Sequence, residues 1–199
     1  MARTIAIGAG VAVVALLGAT YVVSQRGAHD CDSAAVAGGA IGGPFELISE
    51  TGETVTEADV IQEPALIYFG YTFCPDFCPL DAARNAAATD LLAEQGLSVT
   101  PVFITVDPAR DTVEVMAEYT ENFHPKMIGL TGSDEQVAAA SAAYRTYYQK
   151  ADDDPDYYLV AHSTFTYLVM PDAGFVDFFS QSDSPEDVAT KAACFIRNA

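Results

Sequence analysis

Two cysteines separated by three residues are the feature of this sequence that most directly indicates chemistry. Cys74 and Cys78 are each followed by a proline, Pro75 and Pro79. Their spacing places both side chains on one face of a helix or near-helical turn. The segment leads into a predicted helix, whose unpaired N–H groups lower the pKa of nearby thiols. We therefore expect thiolates, which serve both metal binding and disulfide exchange. Buried inert thiols and a structural disulfide are less consistent with an exposed, proline-flanked loop.

Two thiolates leave a metal site incomplete, and the histidines are the candidates for a further ligand. Structural zinc requires four nitrogen or sulfur ligands, whereas soft thiolates with one or two imidazoles suit copper, particularly Cu(I). His162 lies at the start of a predicted strand and is the better candidate, with a hydrogen-bonded structural histidine as the alternative. His124 follows a predicted helix and is expected to cap it. His29 lies in a predicted linker, where we expect it to be solvated.

The elements that must position these residues alternate between strands and helices. The run 65–71 is apolar without alternation, which predicts a strand covered on both faces, and the cysteine pair follows it directly. Ligand chemistry in α/β sheets gathers at such carboxyl ends. Further predicted elements are a hairpin over 45–56, helices over 80–95, 112–122 and 133–147, strands over 98–106 and 127–130, a hairpin over 164–179 and a last helix beginning at Ser184-Pro185. This order predicts an α/β fold with helices on both faces of the sheet.

The first 43 residues differ in composition from the remainder of the chain. Residues 4–24 are almost all apolar or small, and about 20 such residues span a bilayer as a helix. Because no small-x-small cleavage site follows, an uncleaved anchor over 1–26 is favoured over a cleaved signal peptide. Arg3 favours a cytoplasmic N-terminus and an exported body. A flexible linker over 27–43 and one domain over 44–199 complete the predicted organisation.

The charge of the chain narrows the range of its partners. The 199 residues carry a formal net charge of -19. Such an acidic chain repels phosphate backbones, so nucleic acid is excluded as a partner. It is also unsuited to electrostatic docking on anionic lipid. A basic patch on a partner protein is the expected complement, with simple solubility as the alternative explanation.

Three stretches together resemble the Sco (SenC-type) copper-binding proteins, which serve cytochrome c oxidase assembly. They are residues 69–79, residues 106–112, and His162-Ser163 with Tyr167-Leu168. The resemblance covers most of the chain from about Gly43. It implies a thioredoxin-like fold, with a central mixed sheet flanked by helices and an N-terminal membrane-anchor helix. It also implies copper, as Cu(I), Cu(II) or both, held by Cys74, Cys78 and His162.

The resemblance further implies a role, a partner and a location. The role is that of a copper chaperone, which delivers copper to the CuA centre of cytochrome c oxidase subunit II or supports its assembly. Other periplasmic copper chaperones are candidate partners, and the location is the inner membrane with the domain facing the periplasm. The alternative is an enzyme, a thiol-disulfide oxidoreductase that reduces the CuA-ligand cysteines of that subunit. Thioredoxin-type reductases use Cys-x-x-Cys and need no distant histidine, so the spacing favours copper. A peroxiredoxin-like peroxidase is disfavoured, because such enzymes use a Thr-x-x-Cys motif and none surrounds Cys74.

Some positions depart from the family pattern or lie outside its metal motif. Many relatives carry Asp directly before the metal histidine, where this chain has Ala161, so the residue that orients the imidazole is in question. Cys31 and Cys194 lie outside the motif and form either a disulfide or two free thiols. Asp76 is expected to cap the helix after the cysteines. Residues 107–111 are expected to form a turn fixed by an Arg–carboxylate pair, with Asp111 or Thr112 as a helix cap.

Overall fold

The computed structural model describes Cys31, residues 41–151 and residues 157–199. The predicted anchor over 1–26, most of the predicted linker and His29 lie outside the described residues. Within the described residues, no helix has the length and apolar character needed to cross a bilayer. The predicted division of the chain at residues 26 and 43 stays a prediction.

A seven-stranded mixed sheet forms the centre of the fold. Two further described strands pair with each other in a second, two-stranded sheet. In chain order the strands are β1 (Glu46–Ser49), β2 (Thr54–Thr56), β3 (Ala65–Gly70), β4 (Thr100–Thr105), β5 (Ile128–Thr131), β6 (Tyr148–Lys150), β7 (Val160–His162), β8 (Thr166–Met170) and β9 (Gly174–Phe179). The large sheet has the order β2-β1-β5-β4-β3-β8-β9, and β6 pairs with β7. Strands β3, β4 and β5 are parallel, and the outer pairings are antiparallel.

Helices cover both faces of the large sheet, which confirms the predicted α/β architecture. They are α1 (Glu57–Val60), α2 (Phe77–Glu94), α3 (Val113–Glu121), α4 (Asp134–Ala143) and α5 (Pro185–Asn198). Every residue of β3 and β4 is buried, which explains why neither strand alternates polar with apolar residues. On one face Phe69 meets the ring of Tyr144, which directly follows α4. On the other, Leu66 packs in a cluster with Val188 and Ala192 of α5.

Helix boundaries differ from the prediction in ways that matter for the cysteines. Helix α2 begins at Phe77, three residues before the predicted start, so Cys78 lies in its first turn. Pro79 is compatible with this position because the first N–H groups of a helix have no partner within it. Asp76 precedes the helix, yet its side chain makes no capping hydrogen bond, so the predicted capping role is wrong. Thr112, rather than Asp111, caps α3 by accepting from the Val115 N–H.

Two loops meet at the carboxyl ends of the neighbouring parallel strands β3 and β4. Gly70 at the end of β3 is in register with Thr105 at the end of β4. The segment 71–76 continues from β3 into α2, and the segment 106–112 continues from β4 into α3. Because both strands run in the same direction, both loops emerge at one edge of the sheet. The cysteine loop therefore lies beside residues 107–111.

Candidate metal centre

The structure brings Cys74, Cys78 and His162 together at the carboxyl end of β3. The two sulfur atoms and a ring nitrogen of His162 lie within 4.8 Å of one another. In the described part of the chain, no other group of three or more His, Cys, Asp or Glu residues has the spacing of a metal site. The sequence could not predict this proximity, because 84 positions separate Cys78 from His162.

Cys78 is fully buried between the end of β3 and the first turn of α2. The hydroxyl of Tyr68 lies 3.9 Å from its sulfur. Gly70 passes so close that a Cβ atom there would lie 2.9 Å from the same sulfur. The neighbouring Cys74 sulfur and burial both raise the pKa of the Cys78 thiol. Cys78 therefore stays protonated at neutral pH in the metal-free protein.

Cys74 is the more accessible of the two cysteines and the more acidic. It is half-buried, and the Cys78 N–H points at its sulfur over 3.5 Å. The hydrogen bond with the Cys78 side chain lowers the pKa of Cys74 to about 3, with further lowering by His162 and backbone N–H groups, while burial opposes this shift. Cys74 is therefore a thiolate at neutral pH, which is the form that binds metal or attacks a disulfide.

His162 presents its Nε2 atom to the cysteines. Nδ1 lies 2.8 Å from the carbonyl oxygen of Ser163, and a carbonyl only accepts hydrogen bonds, so Nδ1 carries the proton. Nε2 lies 3.2 Å from Cys78 Sγ, and in the neutral ring this nitrogen carries the lone pair that can bind a metal. The ring also meets the rings of Tyr68 and Tyr71 edge-on. The Ser163 carbonyl thus orients the imidazole ring in this chain.

The segment 107–111 contacts the surroundings of both cysteines and of the histidine. Asp111 is fully buried, and its carboxylate accepts from the Thr72 N–H at 3.0 Å and the Thr72 hydroxyl at 2.6 Å. The predicted pairing of Arg110 with a carboxylate is confirmed, because Arg110 pairs with Asp107. Asp107 also accepts from the hydroxyl of Tyr158, next to β7. Besides forming a turn before α3, the segment therefore binds the cysteine loop through Thr72 and the residues before β7 through Tyr158.

An open cleft of about 720 Å³ lies beside the candidate ligands, lined in part by Cys74 and His162. Phe77 and Leu159 line this cleft and are exposed. Phe73 meets Tyr157 ring to ring at 5.6 Å. We call the following set the apolar rim, all of whose members are exposed: Phe73, Phe77, Leu80, Tyr157 and Leu159. Exposed apolar groups in such concentration mark interaction surfaces.

The remaining cysteines and His124 lie outside this cluster. Cys31 and Cys194 are disulfide-bonded, so the alternative of two further free thiols is wrong. His124 does not cap a helix with its ring as expected. Its Nδ1 accepts from the Lys126 N–H at 3.0 Å, and its Nε2 lies 3.3 Å from Asp90.

Several residues that shape the site were not recognised from the sequence. Tyr68 lies in a strand that reads as plain apolar core, and its contact with Cys78 has no sequence signal. Ser163 acts through a backbone carbonyl, which every residue possesses. Tyr158 stands in an aromatic pair, Tyr157-Tyr158, close before His162. The nearness of that pair to a candidate ligand was the one available signal.

Comparisons with known proteins agree with these observations. A model of the SCO1/SenC family matches residues 33–197. Protein SenC of Rhodobacter capsulatus is 51% identical over 201 residues, which cover 98% of this chain and 90% of that protein. The mitochondrial SCO1 homolog 1 of Arabidopsis thaliana is 47% identical over 144 residues, which cover 72% of this chain but only 43% of that protein.

Solved structures extend the likeness to the fold. Copper-bound ScoI of Arabidopsis thaliana matches with a TM-score of 0.77 at 43% identity, over 80% of this chain and 100% of that chain. Copper-bound yeast Sco1 matches with a TM-score of 0.76 at 35% identity, over 81% and 91% of the two chains.

Proposed function

This chain belongs to the SCO1/SenC family, and we propose that it is a copper chaperone that holds copper between Cys74, Cys78 and His162. The observation that carries the proposal is the convergence of two sulfurs and one imidazole nitrogen within 4.8 Å. The copper bound to the Arabidopsis and yeast proteins supports copper as the ion.

The donor set fits copper in both geometry and chemistry. A metal held at about 2.3 Å from each sulfur and about 2.0 Å from the nitrogen needs donors roughly 4 Å apart in a trigonal arrangement. The three donors need only small movements to reach this spacing. Thiolates are soft ligands that select copper over hard cations. A site with three protein ligands also leaves the metal open to attack by a partner's ligands.

The surroundings of the site favour a protein partner. We propose cytochrome c oxidase subunit II, to whose CuA centre the chain delivers copper or whose assembly it supports, and other periplasmic copper chaperones as further partners. The apolar rim provides a surface that a partner can bury beside Cys74. The net charge of -19 favours a partner with a basic surface around its own metal ligands.

The proposed location is the inner membrane, with residues 1–26 as anchor, 27–43 as linker and 44–199 facing the periplasm as the copper-binding domain. The apolar run over 4–24 supports the anchor. An exported location also suits the disulfide-bonded cysteines, because disulfides persist in oxidising compartments.

Copper titration of the full chain tests the ligand set. The variants are Cys74→Ser, Cys78→Ser and His162→Ala, with His124→Ala as the matched control because His124 contacts Asp90 instead of the cluster. We expect one copper per wild-type chain and per control chain, measured by competition with a chromophoric Cu(I) chelator. Loss of a residue that supports a ligand typically lowers metal affinity about 10- to 100-fold. Each ligand variant should lose more affinity than that. Unchanged binding by His162→Ala would refute the three-ligand site.

A thiol-disulfide oxidoreductase is the second candidate, and the unequal states of the two cysteines favour it. The Cys74 thiolate would attack a partner disulfide, forming a mixed disulfide as the partner S–S bond breaks and one partner thiolate leaves. The Cys78 thiol would then lose its proton and attack the Cys74 sulfur, which releases the second partner thiolate. Two electrons pass to the partner, and a Cys74–Cys78 disulfide remains. That disulfide cannot hold copper, so the two activities exclude each other at any one moment.

The two candidate functions give different results with an oxidised, soluble fragment of subunit II. In the reductase, metal-free wild type consumes one partner disulfide per chain, Cys78→Ser accumulates the mixed disulfide, and Cys74→Ser does neither. If the chain acts only as a chaperone, the partner disulfide persists with wild type, Cys78→Ser and Cys74→Ser alike. Reduction of the partner without any transfer from the copper-loaded chain would reverse the ranking of the two functions.

A further inference from the structure

The ligands of the proposed copper site come from two separate parts of the fold. Cys74 and Cys78 follow β3 of the large sheet, whereas His162 is the last residue of β7 in the two-stranded sheet. Metal–ligand distances in a formed site stay within about 0.2 Å of their usual values. The β6–β7 hairpin therefore needs contacts outside its own sheet that fix His162 against the sulfurs.

Asp107 and Arg110, in the loop after β4, supply such contacts. Asp107 is fully buried, accepts from the Tyr158 hydroxyl at 2.6 Å and pairs with Lys150 at 3.3 Å. Arg110 pairs with Asp107 and donates to the Tyr158 carbonyl oxygen at 3.0 Å. Its guanidinium also lies over the Tyr158 ring, 3.8 Å from the centroid. Because Lys150 ends β6 and Tyr158 precedes β7, both strands of the hairpin are tied to this loop.

The same loop also holds the segment that carries the cysteines. Asp111 binds the backbone and the hydroxyl of Thr72, two positions before Cys74. The Arg110 guanidinium lies 4.8 Å from the centroid of the Phe73 ring. One short segment thus contacts the cysteine loop on one side and the histidine hairpin on the other.

We propose that Asp107 and Arg110 are positioning residues of the copper site, which act through Tyr158 to hold His162 Nε2 against the two sulfurs. The inference rests on the proposed copper-binding function. When the hairpin is released, the imidazole must be ordered again each time copper binds, which weakens its contribution to affinity. The cysteine loop keeps its own support, because Asp111 still binds Thr72. Loss of the contact between Asp107 and Tyr158 should therefore lower copper affinity in the same way as His162→Ala, but by a smaller factor.

Tyr158→Phe is the sharpest perturbation of this arrangement. It removes the hydroxyl that Asp107 accepts from and keeps the ring that stacks on Arg110. Substitution of Asp107 itself would leave Arg110 without its carboxylate and endanger folding. Tyr147→Phe is the matched control, because the Tyr147 ring is exposed and its hydroxyl contacts Gln149 within the same hairpin.

Cu(I) affinity by chelator competition and the electron paramagnetic resonance spectrum of the Cu(II) form are measured on full chains. We expect Tyr158→Phe to weaken Cu(I) binding about tenfold, equivalent to about 1.4 kcal/mol, and to weaken the nitrogen coupling of the imidazole in the spectrum. Tyr147→Phe should match wild type in both. The double variant Tyr158→Phe/His162→Ala should bind like His162→Ala alone, because the hydroxyl acts through His162.

Two results would overturn this inference alone: wild-type affinity and spectrum in Tyr158→Phe, or full additivity of the two losses in the double variant. In both cases His162→Ala still loses copper, so the proposed function stands. Wild-type copper binding by His162→Ala would instead overturn the ligand set and this inference with it.

Discussion

Gly70→Ala tests whether close packing behind Cys78 sets the position of its sulfur. A Cβ atom at this position would lie 2.7 Å from Tyr68 Cε1 and 2.9 Å from both Cys78 Sγ and Phe103 Cζ. Gly70 is not among the glycines with positive φ, so alanine meets no backbone strain there. The effect of the substitution is therefore one of space alone.

The size of the effect follows from these distances. Ordinary van der Waals contacts of a Cβ atom begin near 3.4 Å, so the sulfur or the backbone must move by about 0.5 Å. This shift is larger than the spread of about 0.2 Å within which metal–ligand distances fall. All three neighbouring side chains are buried, which limits the ways to relieve the overlap. We expect the free energy of unfolding to fall by about 1–3 kcal/mol, as is typical of overpacking. Copper affinity should fall about 10- to 100-fold, as when support behind a ligand is lost.

Gly52→Ala separates the loss of affinity from a general loss of stability. Gly52 lies in the turn between β1 and β2 with a φ of +83°, and a Cβ atom there would meet no other described residue beyond its chain neighbours within 4 Å. Alanine there should cost about 1–2 kcal/mol through backbone strain and leave the sulfur in place. Urea unfolding of the metal-free proteins and Cu(I) competition are measured for both variants. Wild-type affinity in Gly70→Ala, or equal loss of affinity in Gly52→Ala, would refute the reasoning.

Two further predictions concern protons and transfer. The pKa of Cys74 is lowered to about 3 while that of Cys78 is raised, so copper binding at pH 7 should release about one proton per chain. Calorimetry in buffers of different ionisation enthalpy measures the number of protons released. Release of two protons would contradict the thiolate assigned to Cys74. Phe77→Ser, in the apolar rim, should slow copper transfer to a soluble CuA fragment about fivefold, equivalent to about 1 kcal/mol, with unchanged affinity. The control Val115→Ser changes an exposed apolar residue of α3, and an equal slowing there would argue against the rim.

The part of the site that follows β3 could be predicted because it depends on local sequence. Six consecutive buried residues leave β3 no polar face, and this pattern marks a central strand. The cysteines follow that strand directly, so their place at its carboxyl end needs no knowledge of the remaining fold. Helix α2 begins three residues before its predicted start and includes Pro79 in its first turn, where a helix accepts proline.

The position of His162 could not be predicted from local sequence. It depends on the β6–β7 pairing, in which two three-residue strands align Tyr148 with His162. Strands this short carry too few residues for an alternating pattern to be read. The family resemblance supplied His162 as a ligand, but only the fold places its Nε2 beside Cys78. The same limit applies to Asp111, whose sequence position suggests a helix cap while the fold directs its carboxylate to Thr72.

The unequal exposure of the three donors has a consequence for transfer in the proposed function. Cys78 is fully buried behind Tyr68 and Gly70, and the His162 ring is held by Nδ1, which donates to the carbonyl oxygen of Ser163. Cys74 is half-buried and lines the open cleft beside Phe77. An incoming thiolate would therefore reach a bound copper ion from the cleft side, where Cys74 would be the ligand with the fewest packing constraints on leaving. The low pKa of Cys74 supports its departure before Cys78 and His162, because a thiolate of low pKa is a good leaving group.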